Sequence, residues 1–227
     1  MKVISFSLWG DNPIYTVGAI RNAELAETIY PDWQCWFYVG TSVPSSVVND
    51  LEAKANCTVI NMEEESDNFF APSFWRFYPA SLPEVDVMIS RDTDSRLNLR
   101  EKHAVDVWLE SDKGFHIMRD HPWHTTEMLA GMWGVKKGSI SSMAKMCLGY
   151  IKGEFKQVDQ NFLREKVWSL VGDNCVVHDE FFSNKPFPSG RVGKEFVGMA
   201  FDENDAPLHP EHMEMIDKTQ KEVGRGI

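Results

Sequence analysis

Asp92 and Asp94, two carboxylates one residue apart, are the residues of this chain best suited to chemistry. They stand in the run V-D-V-M-I-S-R-D-T-D-S-R, residues 85–96. Val85, Val87, Met88 and Ile89 make a short β-rich apolar stretch of the kind that forms a buried strand. It stops at Arg91-Asp92-Thr93-Asp94, so the pair is expected where a strand gives way to a loop. In open α/β sheets ligands bind at that carboxyl edge. Mg²⁺ and Mn²⁺ take oxygen ligands and commonly share their shell with substrate phosphates. Asp92 and Asp94 are therefore candidate metal ligands, with Arg91 and Arg96 placed to face phosphate oxygens. Taken alone, the tripeptide reads equally well as a solvated turn.

Further candidates lie at other predicted strand ends. Ser7, Gly10 and Asn12 follow a first strand and are candidate nucleotide contacts, although Asn12 also reads as a helix N-cap before Pro13. Arg76, the one charge in P-S-F-W-R-F-Y, either pairs with a core carboxylate or reaches a phosphate. In the loop after residue 118, Arg119, Asp120 and Trp123 are candidate substrate contacts, Trp123 as a platform for a sugar face. His121 and His124 flank Pro122, which spoils helical ligand geometry, and zinc is not expected there. In the segment L-A-G-M-W-G-V-K-K-G, Gly131 and Gly134 allow backbone to approach a ligand. Trp133 joins them as a substrate contact and Lys136 as a phosphate contact; a turn carrying surface lysines is the alternative. Asp159 opens a helix as its N-cap or acts as a catalytic carboxylate. His178, at the end of a late strand, is a candidate metal ligand.

The elements that must position these residues alternate strand and helix. Strands are predicted at residues 3–8, 34–39, 57–60, 85–89, 115–118, 175–177 and 195–200. Helices are predicted at 13–29, around Val47, Leu51 and Ala55, at 72–78 and at 99–109. Others run from Ser139 with Ile140, Met143, Cys147 and Ile151 inward, and from Asp159 with Phe162, Leu163, Val167 and Leu170 inward. Residues 63–67 read as a solvated acidic loop. A polar helix closes the chain at 209–223, with His209 and His212 in solvent. The opening strand–helix–strand–helix–strand pattern is that of a nucleotide-binding sheet.

At 227 residues the chain can bury a full core, and its net charge of −11 argues against nucleic-acid or anionic-membrane partners. Four dispersed cysteines with no C-x-x-C pair read as buried thiols. The N-terminus lacks a signal-peptide pattern and no apolar run reaches transmembrane length, which leads to a cytoplasmic expectation.

Taken in order, these features resemble the core of the GT-A glycosyltransferases. The likeness is to the small single-domain enzymes of large DNA viruses and bacterial polysaccharide clusters, whose chains begin with a strand like V-I-S-F-S-L. Asp92-Thr93-Asp94 matches the family's D-x-D, Gly131-Met132-Trp133-Gly134 its glycine loop, Val158-Asp159 part of its acidic motif, and His178 its late histidine. The resemblance implies an α/β GT-A (Rossmann-like) fold: a single domain with a mixed, mainly parallel sheet flanked by helices. It would cover residues 1–200, with a nucleotide-binding half at 1–96, an acceptor- and metal-completing half at 97–200, and a tail or helix at 201–227. It implies Asp94 and His178 as ligands of Mn²⁺ or Mg²⁺, with Asp92 on the ribose or completing the shell. A nucleotide-sugar donor (UDP-sugar by default), a glycan acceptor, and Asp159 or Asp120 as acceptor base follow from it. Two other readings compete. One is a haloacid-dehalogenase-type phosphatase using Gly172-Asp173; the other is a nucleotide- or sugar-binding protein without turnover.

Overall fold

The computed structural model describes residues 1–64, 71–150 and 157–223. Seven strands form one sheet in the order β3-β2-β1-β4-β6-β5-β7. They are β1 (Lys2–Leu8), β2 (Gln34–Gly40), β3 (Cys57–Met62), β4 (Val87–Ser90), β5 (Phe115–Arg119), β6 (Trp133–Lys136) and β7 (Cys175–Asp179). The pairings β1–β2, β2–β3, β1–β4 and β5–β7 are parallel, and only β6 runs against its neighbours β4 and β5. The architecture is α/β, with a mixed, mainly parallel sheet in a single domain.

Helices cover both faces, which is why β2 and β4 read as near-continuous apolar runs, whereas β1 alternates Ile4, Phe6 and Leu8 with the buried Ser5 and Ser7. One face packs on α1 (Pro13–Ile29), α2 (Ser45–Glu52) and α3 (Leu99–Glu110), around Ile4, Phe6, Phe37, Ile89 and Trp108. The other packs on a 3₁₀ segment (Ala71–Ser81), α4 (Met143–Tyr150) and α5 (Val158–Phe162), around Phe74, Phe77, Trp133 and Phe162. After α5 come a π turn (Leu163–Val167) and α6 (Trp168–Val171). The last helix is α7 (Pro210–Val223). No helix among the described residues is long and apolar enough to cross a membrane.

Local signals account for the best-read boundaries. Asn12 caps α1, its Oδ1 accepting from Ile14 N at 3.1 Å, and Pro13 supplies the first helical residue. Asn98 caps α3 by accepting from Glu101 N at 3.0 Å.

Elsewhere tertiary structure overrides pattern. The glycine segment is not a loop throughout: β6 occupies its second half, between β4 and β5. Ser139 does not cap α4; the helix starts at Met143, whose N–H donates to Ser81 Oγ. Ile151 lies outside the described residues. Residues 195–200 form turns with one bridge, Ala200 to Ser95, instead of a strand. Leu170 is exposed, because the π turn ahead of α6 shifts the helix face. α2 ends at Glu52, which leaves Ala55 outside it and exposed. All four thiols are free, but only Cys35 and Cys147 are buried, since Cys57 and Cys175 sit on the two outermost strands.

Candidate active site

The chain reverses its direction of travel across the sheet between β1 and β4. From β1 it steps outward to β2 and β3, then returns to place β4 on the other side of β1. Such a switch point leaves a crevice at the carboxyl ends of the two strands. Ser7 and Leu8 end β1 there, and Arg91 to Asp94 leave β4 there.

Arg76 organises this crevice. Its guanidinium pairs with Asp92 through Nη1 and with Asp159 Oδ2 through Nη2, the latter at 2.6 Å. Burial works to lower its pKa, but the charges of Asp92 and Asp159 outweigh it and raise it. The pairing alternative is thus the one the fold adopts for Arg76. Its backbone N–H donates to Ser7 Oγ at 3.0 Å, fixing the segment over β1.

Asp94 differs from Asp92 in having no ion pair among the described residues. Burial and the nearby Asp92 charge push its carboxyl up to about 6, against the opposing pull of Arg76. Burial and the Asp94 and Asp92 charges likewise raise the half-exposed Tyr15 phenol. Two hard carboxylates, one of them in no ion pair among the described residues, suit a divalent metal ion of the Mg²⁺ or Mn²⁺ kind.

Asn22 holds the loop that carries both aspartates. It is fully buried in α1, and its Nδ2 donates to Thr93 O at 3.3 Å and Ser95 O at 2.8 Å while its Oδ1 accepts from Leu97 N at 3.0 Å. Arg96 closes the loop from outside, donating to the carbonyls of Thr93, Asp94 and Ser95 and pairing with Asp205 at 2.9 Å. Its N–H groups are thus committed to the loop carbonyls and Asp205 and not held for a phosphate. Phe201 N donates to Asp94 O at 2.8 Å, so the C-terminal segment also packs on this loop.

Gly131 belongs to the site, since any Cβ there would strike the Asp92 carboxylate. Gly134 does not. A Cβ at that position would come within 2.9 Å of Ile89 and of the Trp108 ring, so this glycine admits α3 against the sheet. Trp133 is fully buried against Phe77 and touches no open surface. Trp123 is 52% exposed on the loop between β5 and β6, its ring set edge-on to those of His121 and His212.

Several other expectations are corrected by the geometry. Lys136 Nζ donates to the carbonyls of Trp108, Leu109 and Ser111, where it neutralises the C-terminal end of α3 and not a phosphate. Arg91 is buried against Glu101 at 3.1 Å, with Tyr30 on the same carboxylate. Asp120 is fully buried, and both its oxygens are taken by Arg100 and Arg191, with Val197 N on Oδ2; it is a strut, not a free base. The side chains of Ser7 and Asn12 are occupied by Arg76 N and Ile14 N. Gly10 N donates to Ser42 Oγ at 2.6 Å, and Ser42 in turn bonds Glu64, which is thereby engaged, while residues 65–67 of the expected acidic loop lie outside the described residues. Asp159 stands inside the first turn of α5, whose N-cap is Gln157.

His178 is not assembled with Asp92 and Asp94. Among the described residues the only His, Cys, Asp and Glu cluster compact enough to hold an ion is elsewhere. The His178 Nδ1 instead shares a proton with His116 Nε2 at 2.9 Å, and its ring packs on Phe187. Burial, then the Arg100 charge, lower His178 to about 4. Gly172-Asp173 follows α6 and precedes β7, at the amino ends of the parallel strands and so on the opposite rim from Asp92, which removes the phosphatase arrangement.

Sequence reasoning missed Asn22, Tyr15, Ser42 and Glu64. Asn22 alone carried a signal, a polar residue on the face formed by Ala19, Ala23 and Ala26.

No protein-family model and no curated protein matches the chain. Among solved structures it is similar to a 4-diphosphocytidyl-2C-methyl-D-erythritol synthase from Anaerococcus prevotii. That match has 11% identity, covers 83% of this chain and 90% of the other, and has a TM-score of 0.48. It is also similar to the galactosyltransferase LgtC in complex with donor and acceptor sugar analogs (14% identity, 78% and 73% coverage, TM-score 0.45). S. aureus TarS is a third, at 13% identity, 82% and 58% coverage and a TM-score of 0.49. Likeness at this level assigns no residue a role.

Proposed function

We propose that the protein is a metal-dependent glycosyltransferase that moves a sugar from a nucleoside-diphosphate donor, by default a UDP-sugar, to a hydroxyl of a glycan or similar acceptor. The observation that carries this reading is the placement of Asp92 and Asp94 at the β1/β4 switch point, with Asp94 in no ion pair among the described residues. Asp94 and Asp92 would hold Mn²⁺ or Mg²⁺, and the ion when bound stabilises negative charge on a departing diphosphate without a proton. His178 is left out of this ligand set.

The chain's own residues supply the rest. Arg76 ties Asp92 to Asp159, so the metal-side carboxylate and the remaining candidate base keep a fixed separation. Asp159 Oδ2 is engaged by Arg76 and Oδ1 accepts from Gln160 N at 2.8 Å, which leaves lone pairs on both oxygens for an acceptor hydroxyl proton. Asn22 and Arg96 fix the loop so that no reorganisation is needed when charge develops. Trp123 would offer the acceptor an aromatic face.

Calorimetric titration with UDP, GDP and dTDP, with and without Mn²⁺, tests this. Binding of one nucleotide that requires both the ion and the Asp94 carboxylate is expected, with loss in Asp94→Asn. A folded protein that binds none of the three would end the transferase reading.

A further inference from the structure

Three metal-ligating side chains gather at the start of α7. His209 Nδ1 lies 3.3 Å from Glu211 Oε1, and His212 Nε2 lies 4.0 Å from the same oxygen. All three ligand atoms fall within 4.8 Å of one another. Bonds of about 2.0–2.2 Å at tetrahedral angles place two ligands of one zinc ion about 3.3–3.6 Å apart. The His209–Glu211 pair has that spacing already, and His212, at 4.0 Å from Glu211, stands within about 1 Å of it. The two imidazoles stack with centroids 4.8 Å apart, so they converge on one side of the helix start.

The backbone that carries His212 is fixed from a second element. His121 Nε2 hydrogen-bonds His212 O at 3.0 Å, while its Nδ1 accepts from Trp123 N at 3.1 Å. That pairing assigns the Nε2–H tautomer to His121 and docks the first turn of α7 on the loop after β5. The His121 ring rests on Phe196 at 4.5 Å, which closes the arrangement from below. Two imidazoles and a carboxylate are a borderline-soft set that suits Zn²⁺ and its neighbours, not Mg²⁺. A helix N-terminus disfavours a cation, but only weakly at an exposed site, and Glu211 brings a full negative charge to the same turn.

We propose that His209, Glu211 and His212 bind one transition-metal ion of the Zn²⁺ class. Its fourth position is open towards water or a ligand group beside the half-exposed Trp123, whose ring lies 4.6 Å from that of His212. The ion joins the start of α7 to the loop between β5 and β6. This site is separate from Asp92 and Asp94, and it stands or falls independently of the transferase reading.

The test uses the full chain with any affinity tag removed, in an Asp94→Asn background so that the crevice does not contribute. Zn²⁺ is titrated in competition with a chromophoric chelator, and Co²⁺ is added separately to record its visible spectrum. One Zn²⁺ per chain is expected, undisturbed by an equal concentration of Mg²⁺, with the intense visible bands of four-coordinate Co²⁺. His209→Ala/His212→Ala removes two ligands and should weaken Zn²⁺ by more than the about 10–100-fold that loss of an outer-shell partner causes. Both side chains are at least partly exposed, and an unchanged thermal melt of the metal-free variant shows that folding is intact. No uptake by the parent, or equal uptake by the double variant, overturns the proposal.

Discussion

The Arg76 guanidinium and the Asp159 carboxylate meet at 2.6 Å although 83 positions separate them in the chain. Both side chains are about nine-tenths buried. Removing one member of such a pair leaves the other charge unpaired away from water, which costs about 3–5 kcal/mol. Arg76→Met should therefore lose stability of that order in urea denaturation, and metal-dependent nucleotide binding should fall with it. Arg76→Lys keeps one charge but cannot bridge Asp92 and Asp159, so it should recover part of the stability and little of the binding.

Asn22→Ala strips hydrogen bonds from the Thr93 and Ser95 carbonyls and from Leu97 N without touching the site directly. Buried groups left without partners cost about 1–3 kcal/mol each. A stability loss of about 2–4 kcal/mol is expected, together with slack in the aspartate loop. Hydrogen exchange should report it as faster exchange confined to the loop and the α1 turn beside it.

Gly131 and Gly134 should separate function from stability. Gly131→Ala pushes a methyl group into Asp92 and should abolish metal-dependent nucleotide binding while leaving the core intact. Gly134→Ala crowds Ile89 and Trp108; overpacking of this kind costs about 1–3 kcal/mol. Its binding per folded molecule should be unchanged. Calorimetry and thermal melts on the two variants give opposite results if these assignments hold.

The His116–His178 pair should make the fold acid-sensitive. Burial, then the His178 and Arg91 charges, keep His116 well below its usual range, and His178 titrates at about 4. An unfolded imidazole titrates near about 6.5, so the unfolded chain binds more protons in that window. The contribution is complete above about pH 6.5 and is lost as pH falls towards about 4. The urea midpoint should drop between about pH 7.5 and about pH 5. His116→Phe/His178→Leu should show a smaller drop, and its Mn²⁺-dependent nucleotide binding should persist.

Much of the frame was legible in the chain because local chemistry and tertiary structure agree there. Asn12-Pro13 and Asn98 start helices by capping backbone N–H groups, a short-range effect that sequence shows directly. The parallel strands β2 and β4 announce themselves as short, mostly apolar β-rich runs. β6 was obscured because Trp133, Gly134 and Val135 do not alternate, and the glycine is explained only by the Trp108 ring across the sheet. The site was half legible for a similar reason. Asp92 and Asp94 could be found from one strand and one loop, but a charged residue's partner depends on topology. Asp120 and Asp159 look alike in sequence; one is sealed by two arginines and the other faces the crevice through a third. His178 ends a strand as expected, yet the neighbouring strand offers His116 before any metal does.

The reversed direction of β6 has an effect on how this molecule could diverge. A parallel neighbour would have to be reached by a crossover passing to the far edge and back. Here the chain leaves β5 and enters β6 on the same rim as Asp92, and residues 120–132 span the gap. The exposed part of this segment around Trp123 can vary without shifting any strand register, while Asp120 stays held by Arg100 and Arg191 and Gly131 lies against Asp92. Related chains could thus reshape one rim of the crevice by exchanging a single segment, with the strands that carry Asp92 and Asp94 unaltered.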